Sequence, residues 1–149
     1  MVNDNYIDKT RDSIRQKDEL QNILQKIPVS SLEISRGFEK LKDSDIKFNI
    51  KFKIKDIEFI CHYKQLNCSG GAQDTSYNNL IAFIKNTTKE HVAEKNTIFL
   101  AICDGDYYLQ KDSKTGDETK IKRLQRLTDG KTSFVLNIQE LSGFLRDRL

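Results

Sequence analysis

Hydrophobic and polar positions alternate without a break from residue 46 to 54. Ile46, Phe48, Ile50, Phe52 and Ile54 fall on one side, and Lys47, Asn49, Lys51 and Lys53 on the other. A period of two predicts a strand with one face buried and one face solvated. Lys55-Asp56 then reads as a tight turn, and Ile57, Phe59, Cys61 and Tyr63 repeat the alternation on the way back. The prediction is an antiparallel hairpin, 46 to 54 and 57 to 64, with Ile54 opposite Ile57 and Phe52 opposite Phe59. Its polar face would gather Asp45, Asn49, Glu58, His62 and Lys64. Such a face is either ordinary solvated surface or a site.

The flanking pattern is helical. Residues 6 to 27 carry a sparse stripe of Ile7, Ile14, Leu20, Ile23, Leu24 and Ile27, and Pro28 stops it. Ser30 and Glu33 have the spacing of a capping box, which predicts a short helix through Leu41. After the hairpin, Gly70-Gly71 turns the chain. Asp74 can then cap a helix that buries Tyr77, Leu80, Ile81, Phe83 and Ile84. The run 98 to 103 predicts a fully buried strand that ends at Asp104-Gly105-Asp106. Ile121, Leu124 and Leu127 are spaced as one helix face. Thr132 to Leu136 reads as a strand, and Asn137 with Glu140 as the capping box of a last helix. The order predicts an α/β (α+β) fold, a mixed central sheet with an antiparallel hairpin flanked by helices. One domain over 1–149 is expected, with a helical part at 1–42 and a sheet core at 43–149. No internal repeat divides the chain.

Composition narrows the classes. With 37% hydrophobic and 32% charged residues in 149, the chain is polar yet able to bury a core. The apolar run at 98 to 103 is far too short to cross a bilayer, and no basic–apolar–small leader opens the chain. The three cysteines, Cys61, Cys68 and Cys103, are odd in number and lack a paired motif, which points to reduced thiols in the cytoplasm. Zinc-type spacings are absent. The net charge is only +3, so distribution matters more than total. Lys47, Lys51, Lys53 and Lys55 form a row along one strand; Lys120, Lys122, Arg123 and Arg126 form a second cluster. Either set can neutralise phosphates or simply keep a surface solvated.

A hairpin that ends in Lys64-Gln65 is followed by Ser69-Gly70-Gly71-Ala72-Gln73-Asp74, a helix, and a buried strand closing in Asp104-Gly105. This succession, over residues 43 to 147, resembles type II restriction endonucleases of the PD-(D/E)xK nuclease superfamily. The resemblance implies a restriction-endonuclease-like fold and a metal-dependent DNA endonuclease. Its first carboxylate would be Asp45 and its lysine Lys64. The place of the acid two residues before that lysine is taken by His62, a departure from the family pattern. A carboxylate from elsewhere would complete the metal site. Glu33 and Glu39, on the helix expected before the hairpin, are preferred to Glu58, which lies about 13 Å along the strand from His62 at 3.3 Å per residue. The ion would be Mg2+ or Mn2+, activating water and polarising the phosphoryl oxygen, with Lys64 stabilising the developing charge. Lys47, Lys51, Lys53, Lys120, Lys122, Arg123 and Arg126 would track double-stranded DNA, and Gln65 and Gln73 would support the site. A homodimer or a heteromeric restriction subunit is the expected assembly, with no membrane involved.

Two other readings stay open. His62 at the acid position suits a catalytically inactive nuclease-fold module that binds DNA or a partner protein. The modest net charge suits a small regulatory α+β domain unrelated to nucleic acid. Gly70-Gly71 before a helix can be an anion cradle or a plain turn, but the GxxxxGK[ST] pattern is absent.

Overall fold

The computed structural model describes residues 18–67, 71–90, 96–112 and 116–148. A five-stranded mixed sheet forms the middle layer, with strands in the order β1 (Val29–Lys40), β2 (Lys47–Ile54), β3 (Ile57–Gln65), β4 (Thr97–Asp104), β5 (Ser133–Asn137). β2 runs antiparallel to both β1 and β3, whereas β3, β4 and β5 are parallel. Helix α1, described over 18–25, and α4 (Ile138–Arg146) cover one face. Helices α2 (Gly71–Glu90) and α3 (Lys120–Leu127) cover the other.

Two hydrophobic cores follow from this layering. Leu20, Leu24, Leu141 and Leu145 pack with Phe52, Phe59, Cys61, Leu100 and Ile102 on the first face. Leu80, Phe83, Ile84 and Leu124 pack with Ile60, Phe99, Ala101 and Val135 on the second. β4, from Phe99 to Cys103, is buried on both sides, as a central parallel strand must be. The α2 stripe, Tyr77, Leu80, Ile81, Phe83 and Ile84, is buried as the helical spacing predicts. The last helix carries its full capping box, Asn137 with Glu140. Asp74 lies in the first turn of α2 rather than before it, and its carboxylate accepts from the Tyr107 hydroxyl.

The hairpin closes with Ile54 opposite Ile57 and Phe52 opposite Phe59, whose rings stack 4.8 Å apart. One feature departs from the strict alternation. Ile50, Phe52 and Ile54 enter the first core, but Ile46 and Phe48 enter the second. The parity changes at Asn49. Its Oδ1 accepts from the Tyr63 N–H at 2.9 Å and its Nδ2 donates to the Tyr63 carbonyl at 2.9 Å, so a side chain takes the place of a backbone rung. Opposite it, β1 pairs Ile34 with Ile50 and next Glu39 with Phe48, so residues 35 to 38 bulge outward. An irregularity of this kind flips the side-chain faces beyond it.

The second departure is residues 29 to 40. They form the edge strand β1, not a helix, so the helical part does not extend to residue 42. The Ser30/Glu33 spacing is not a capping box: the Ser30 hydroxyl donates to the Lys53 carbonyl at 3.3 Å. Pairing with β2 on either side of the bulge gives this exposed, serine-rich segment partners that an isolated helix of its length lacks. Of the helix expected at 6 to 27, residues 1 to 17 lie outside the described residues.

After β4 the chain turns at Gly105, with φ 104°. The Leu66 carbonyl accepts from Tyr107 N–H at 3.2 Å, and a Cβ on Gly105 would collide with that same carbonyl. Gly105→Ala is therefore expected to cost at least about 2 kcal/mol of unfolding free energy, through both backbone strain and overlap. Urea denaturation checks this, and an unchanged midpoint would refute it.

Candidate functional site

Of the residues that the sequence singles out, His62 lies where β2 parts from β3. The last pair of the β2–β3 ladder is Ile50 with Cys61. Beyond it, His62 is buried beneath α2. Its Nδ1 donates to the Lys47 carbonyl at 2.9 Å, which fixes the Nδ1–H tautomer of a neutral ring. The ring stacks on Phe38 at 4.2 Å and meets Phe83 of α2 at 5.3 Å. Burial lowers its pKa to about 4, against the opposing pull of the Lys47 carbonyl and with the help of the Lys64 and Lys47 charges. At neutral pH His62 is an uncharged stacking group.

Asp45 precedes β2 rather than starting it. Its carboxylate pairs with Lys40 at 3.7 Å, both side chains being largely exposed, and its carbonyl accepts from Asn86 Nδ2 at 3.4 Å. Lys64 is half-buried, and its carbonyl accepts from the Tyr108 hydroxyl at 3.0 Å. No hydrogen bond or ion pair among the described residues joins Asp45 to Lys64. Glu33 and Glu39 belong to β1, not to a helix. Glu33 sits across from Lys51 and pairs with it at 3.8 Å; Glu39 lies opposite Phe48. Glu58 faces Lys53 in the hairpin register.

Among the described residues no three His, Cys, Asp or Glu side chains come together as a metal-binding set. Mg2+ demands an oxygen-rich octahedral shell. The donors here are a stacked imidazole and one carboxylate turned to a lysine, so these residues do not fit that ion.

The remaining sequence candidates serve other contacts. Gln65 ends β3 beside Asp104, on the side opposite Lys64. Gln73 donates to the Asn67 carbonyl at 3.1 Å. In α3, Arg123 Nη1 donates to the buried Asp112 at 2.8 Å, where the Tyr77 hydroxyl also donates at 2.9 Å. Lys120 lies over the Tyr107 ring at 4.3 Å, and Arg126 pairs with Glu118 at 3.2 Å. Lys122 and Arg126 are both exposed. Cys61 and Cys103 are free and buried, and burial pushes both thiols up. Gly70 and Cys68 lie outside the described residues.

Lys40, Asp45, Lys47, Asn79, Ala82, Phe83 and Asn86 line a groove of about 290 Å³ between α2 and the turn that joins β1 to β2. Sequence reasoning missed Phe38, Asn79 and Asn86. A helical projection carries the signal for the two asparagines, seven residues apart and so two turns along one side of α2. Nothing local marks Phe38, which reaches His62 only because β1 bulges. No helix among the described residues is long and apolar enough to cross a membrane. No protein-family model matches the chain, and no curated protein or solved structure matches it.

The depressed His62 pKa links protonation to stability. In the unfolded chain the imidazole titrates near 6.5; in the fold it does so near 4. Stability from the neutral ring is full above about pH 6.5 and is lost as the pH falls toward 4, a swing on the order of 3 kcal/mol. His62→Phe is expected to flatten that part of the stability–pH curve between pH 7 and 4.5. An NMR titration showing His62 protonating near pH 6.5 in the native state would refute the assignment.

Proposed function

We propose that this chain is a non-catalytic module, on a nuclease-like framework, that binds nucleic acid through the phosphate backbone. The observation behind the reading is the condition of His62. At the place where the resembled family carries a metal-binding acid stands a buried, neutral ring held between two phenyl groups. Asp45, at the place of that family's first carboxylate, is turned to Lys40. Such a pair supplies neither the oxygens nor the charge that a hydrolytic Mg2+ or Mn2+ requires.

Cations, by contrast, are exposed along the hairpin side. Arg36, Lys42, Lys47, Lys53 and Lys55 are solvent-facing, and Lys40 is tied only by an exposed pair worth little in water. Contacts from flexible lysines give affinity and salt dependence without reading sequence. Double-stranded DNA is one ligand of this chemistry. The framework that supports the comparison is the β2–β3 hairpin feeding α2 and then the parallel strand β4. A partner in a restriction system and a homodimer belong to the same reading.

The test is fluorescence anisotropy of a labelled duplex against salt, run beside a plasmid assay with Mg2+ or Mn2+. Binding should fall steeply with added salt, and Lys47→Gln and Lys53→Gln should each lower the log–log salt slope by about 1. The plasmid should stay intact. Cleavage that needs the metal and disappears in Lys64→Ala would reinstate an active endonuclease. Absence of any salt-dependent binding would leave the small regulatory domain.

A further inference from the structure

We infer that the groove between α2 and the β1–β2 turn is the seat of a single nucleotide unit, its phosphate held by Lys40 and Lys47 and its base met by Asn79 and Asn86. This rests on the nucleic-acid reading above and makes it specific, since a unit lodged there must come from a single strand or from a nucleotide splayed out of a duplex.

The groove's charge selects an anion. Two ammonium groups face one carboxylate among its lining residues. Asp45 and Lys40 are 3.7 Å apart with both side chains mostly in water, an arrangement that a phosphate, with more charge and more acceptor oxygens, displaces readily. Asp45 thus acts as an internal counter-ion rather than as a metal ligand.

The groove's size selects more than a phosphate ion. About 290 Å³ is close to the lower end of small-molecule sites, about 300 Å³. Its walls supply what a base needs. Asn79 and Asn86 stand two turns apart on α2, and each amide carries donor and acceptor in one fork, the pattern that pairs with a base edge. The one bond described for the Asn86 amide, to the Asp45 carbonyl, is long at 3.4 Å, so the amide is available at little cost. Phe83 gives the wall its aromatic part, held in place by its contact with His62. Ala82, exposed and small, keeps the space between the asparagines open.

The experiment measures binding of the full chain to a labelled single strand and to its duplex at equal salt. Adenosine monophosphate, adenosine and inorganic phosphate serve as competitors. The single strand should bind at least about threefold tighter than the duplex. The monophosphate should compete, and adenosine or phosphate should need at least about tenfold more. Ala82→Phe, which fills the groove from an exposed helix position, should weaken single-strand binding about tenfold with the thermal melt unchanged. Asp45→Asn should tighten binding two- to fivefold, roughly the effect of freeing one lysine. If Ala82→Phe binds like the parent while the salt-dependent duplex affinity persists, the groove is overturned and the wider nucleic-acid reading stands. If the parent binds the monophosphate but no strand, the groove stands and the wider reading falls. Weaker or unchanged binding by Asp45→Asn overturns the counter-ion assignment. Should Ala82→Phe fail to fold, Asn79→Asp with Asn86→Asp replaces it, and undiminished binding there overturns the seat.

Discussion

One amide side chain decides how the two halves of this fold meet. Asn49 replaces a rung of the β2–β3 ladder with two side-chain bonds to the Tyr63 backbone, each 2.9 Å. Because Asn49 itself is buried, those bonds also satisfy groups that would otherwise be orphaned at a cost of about 1–3 kcal/mol each. The substitution lets β2 change parity. Ile50, Phe52 and Ile54 serve the core beneath α1 and α4, while Ile46 and Phe48 serve the core beneath α2. With a regular ladder, Ile46 and Phe48 would share the first face and α2 would lose part of its floor. The same irregularity parts the strands at His62 and swings Phe38 over its ring. The groove beside α2 exists because the sheet is not regular there.

That single residue also explains where the sequence was legible and where it was not. The hairpin turn, the α2 stripe, β4 and the Asn137 capping box rest on local chemistry, and each appears where the pattern put it. The alternation from 46 to 54 was read as one face because period two carries no mark for a bulge. Only the structure shows that Asn49 finds Tyr63. β1 was misread for a related reason. Ser30, Glu33 and a few spaced apolar residues satisfy a helix rule, but an edge strand is decided by its neighbour, and the partners of Ser31 to Ile34 lie 16 to 22 residues away in the chain. At the site, His62 lies at the β2–β3 fork, but among the described residues no hydrogen bond or ion pair joins Asp45 to His62 or Lys64, and the Asp45 carboxylate pairs with Lys40. Their chemistry was not readable, because it depends on burial, on Phe38 and on Lys40.

Electrostatics separates two populations of cation. Arg123 is spent inside the molecule: a guanidinium donating at 2.8 Å to a carboxylate that is 3% exposed. A Tyr77 hydroxyl completes the shell. An ion taken out of water needs such a complement, and arginine's planar fork provides it better than an ammonium group does. This network clamps α3 to α2 and to the segment after β4, and so it fixes the edge of the molecule far in the sheet order from β1. The lysines of β2 and of the β1–β2 turn are treated in the opposite way. Lys47 and Lys53 remain exposed, Lys40 and Lys51 are loosely paired with Asp45 and Glu33, and Lys47 lies near the neutral His62.

Those two arrangements carry different functional content. A tight, buried Arg–Asp–Tyr cluster stabilises structure and has no charge to offer a ligand. Lys40 and Lys47, exposed at a polar groove, offer charge at little desolvation cost, which under the proposed reading suits an anionic partner of variable sequence. The neutrality of His62 belongs to the same logic. A carboxylate at that place would meet Lys64 and Lys47 and cancel their field. An imidazole kept uncharged by burial leaves the charge of both lysines uncancelled, and it packs at a tilt against Phe83 in the groove wall. Under the proposed reading, a neutral ring at this position leaves the local charge positive, as an anionic partner requires.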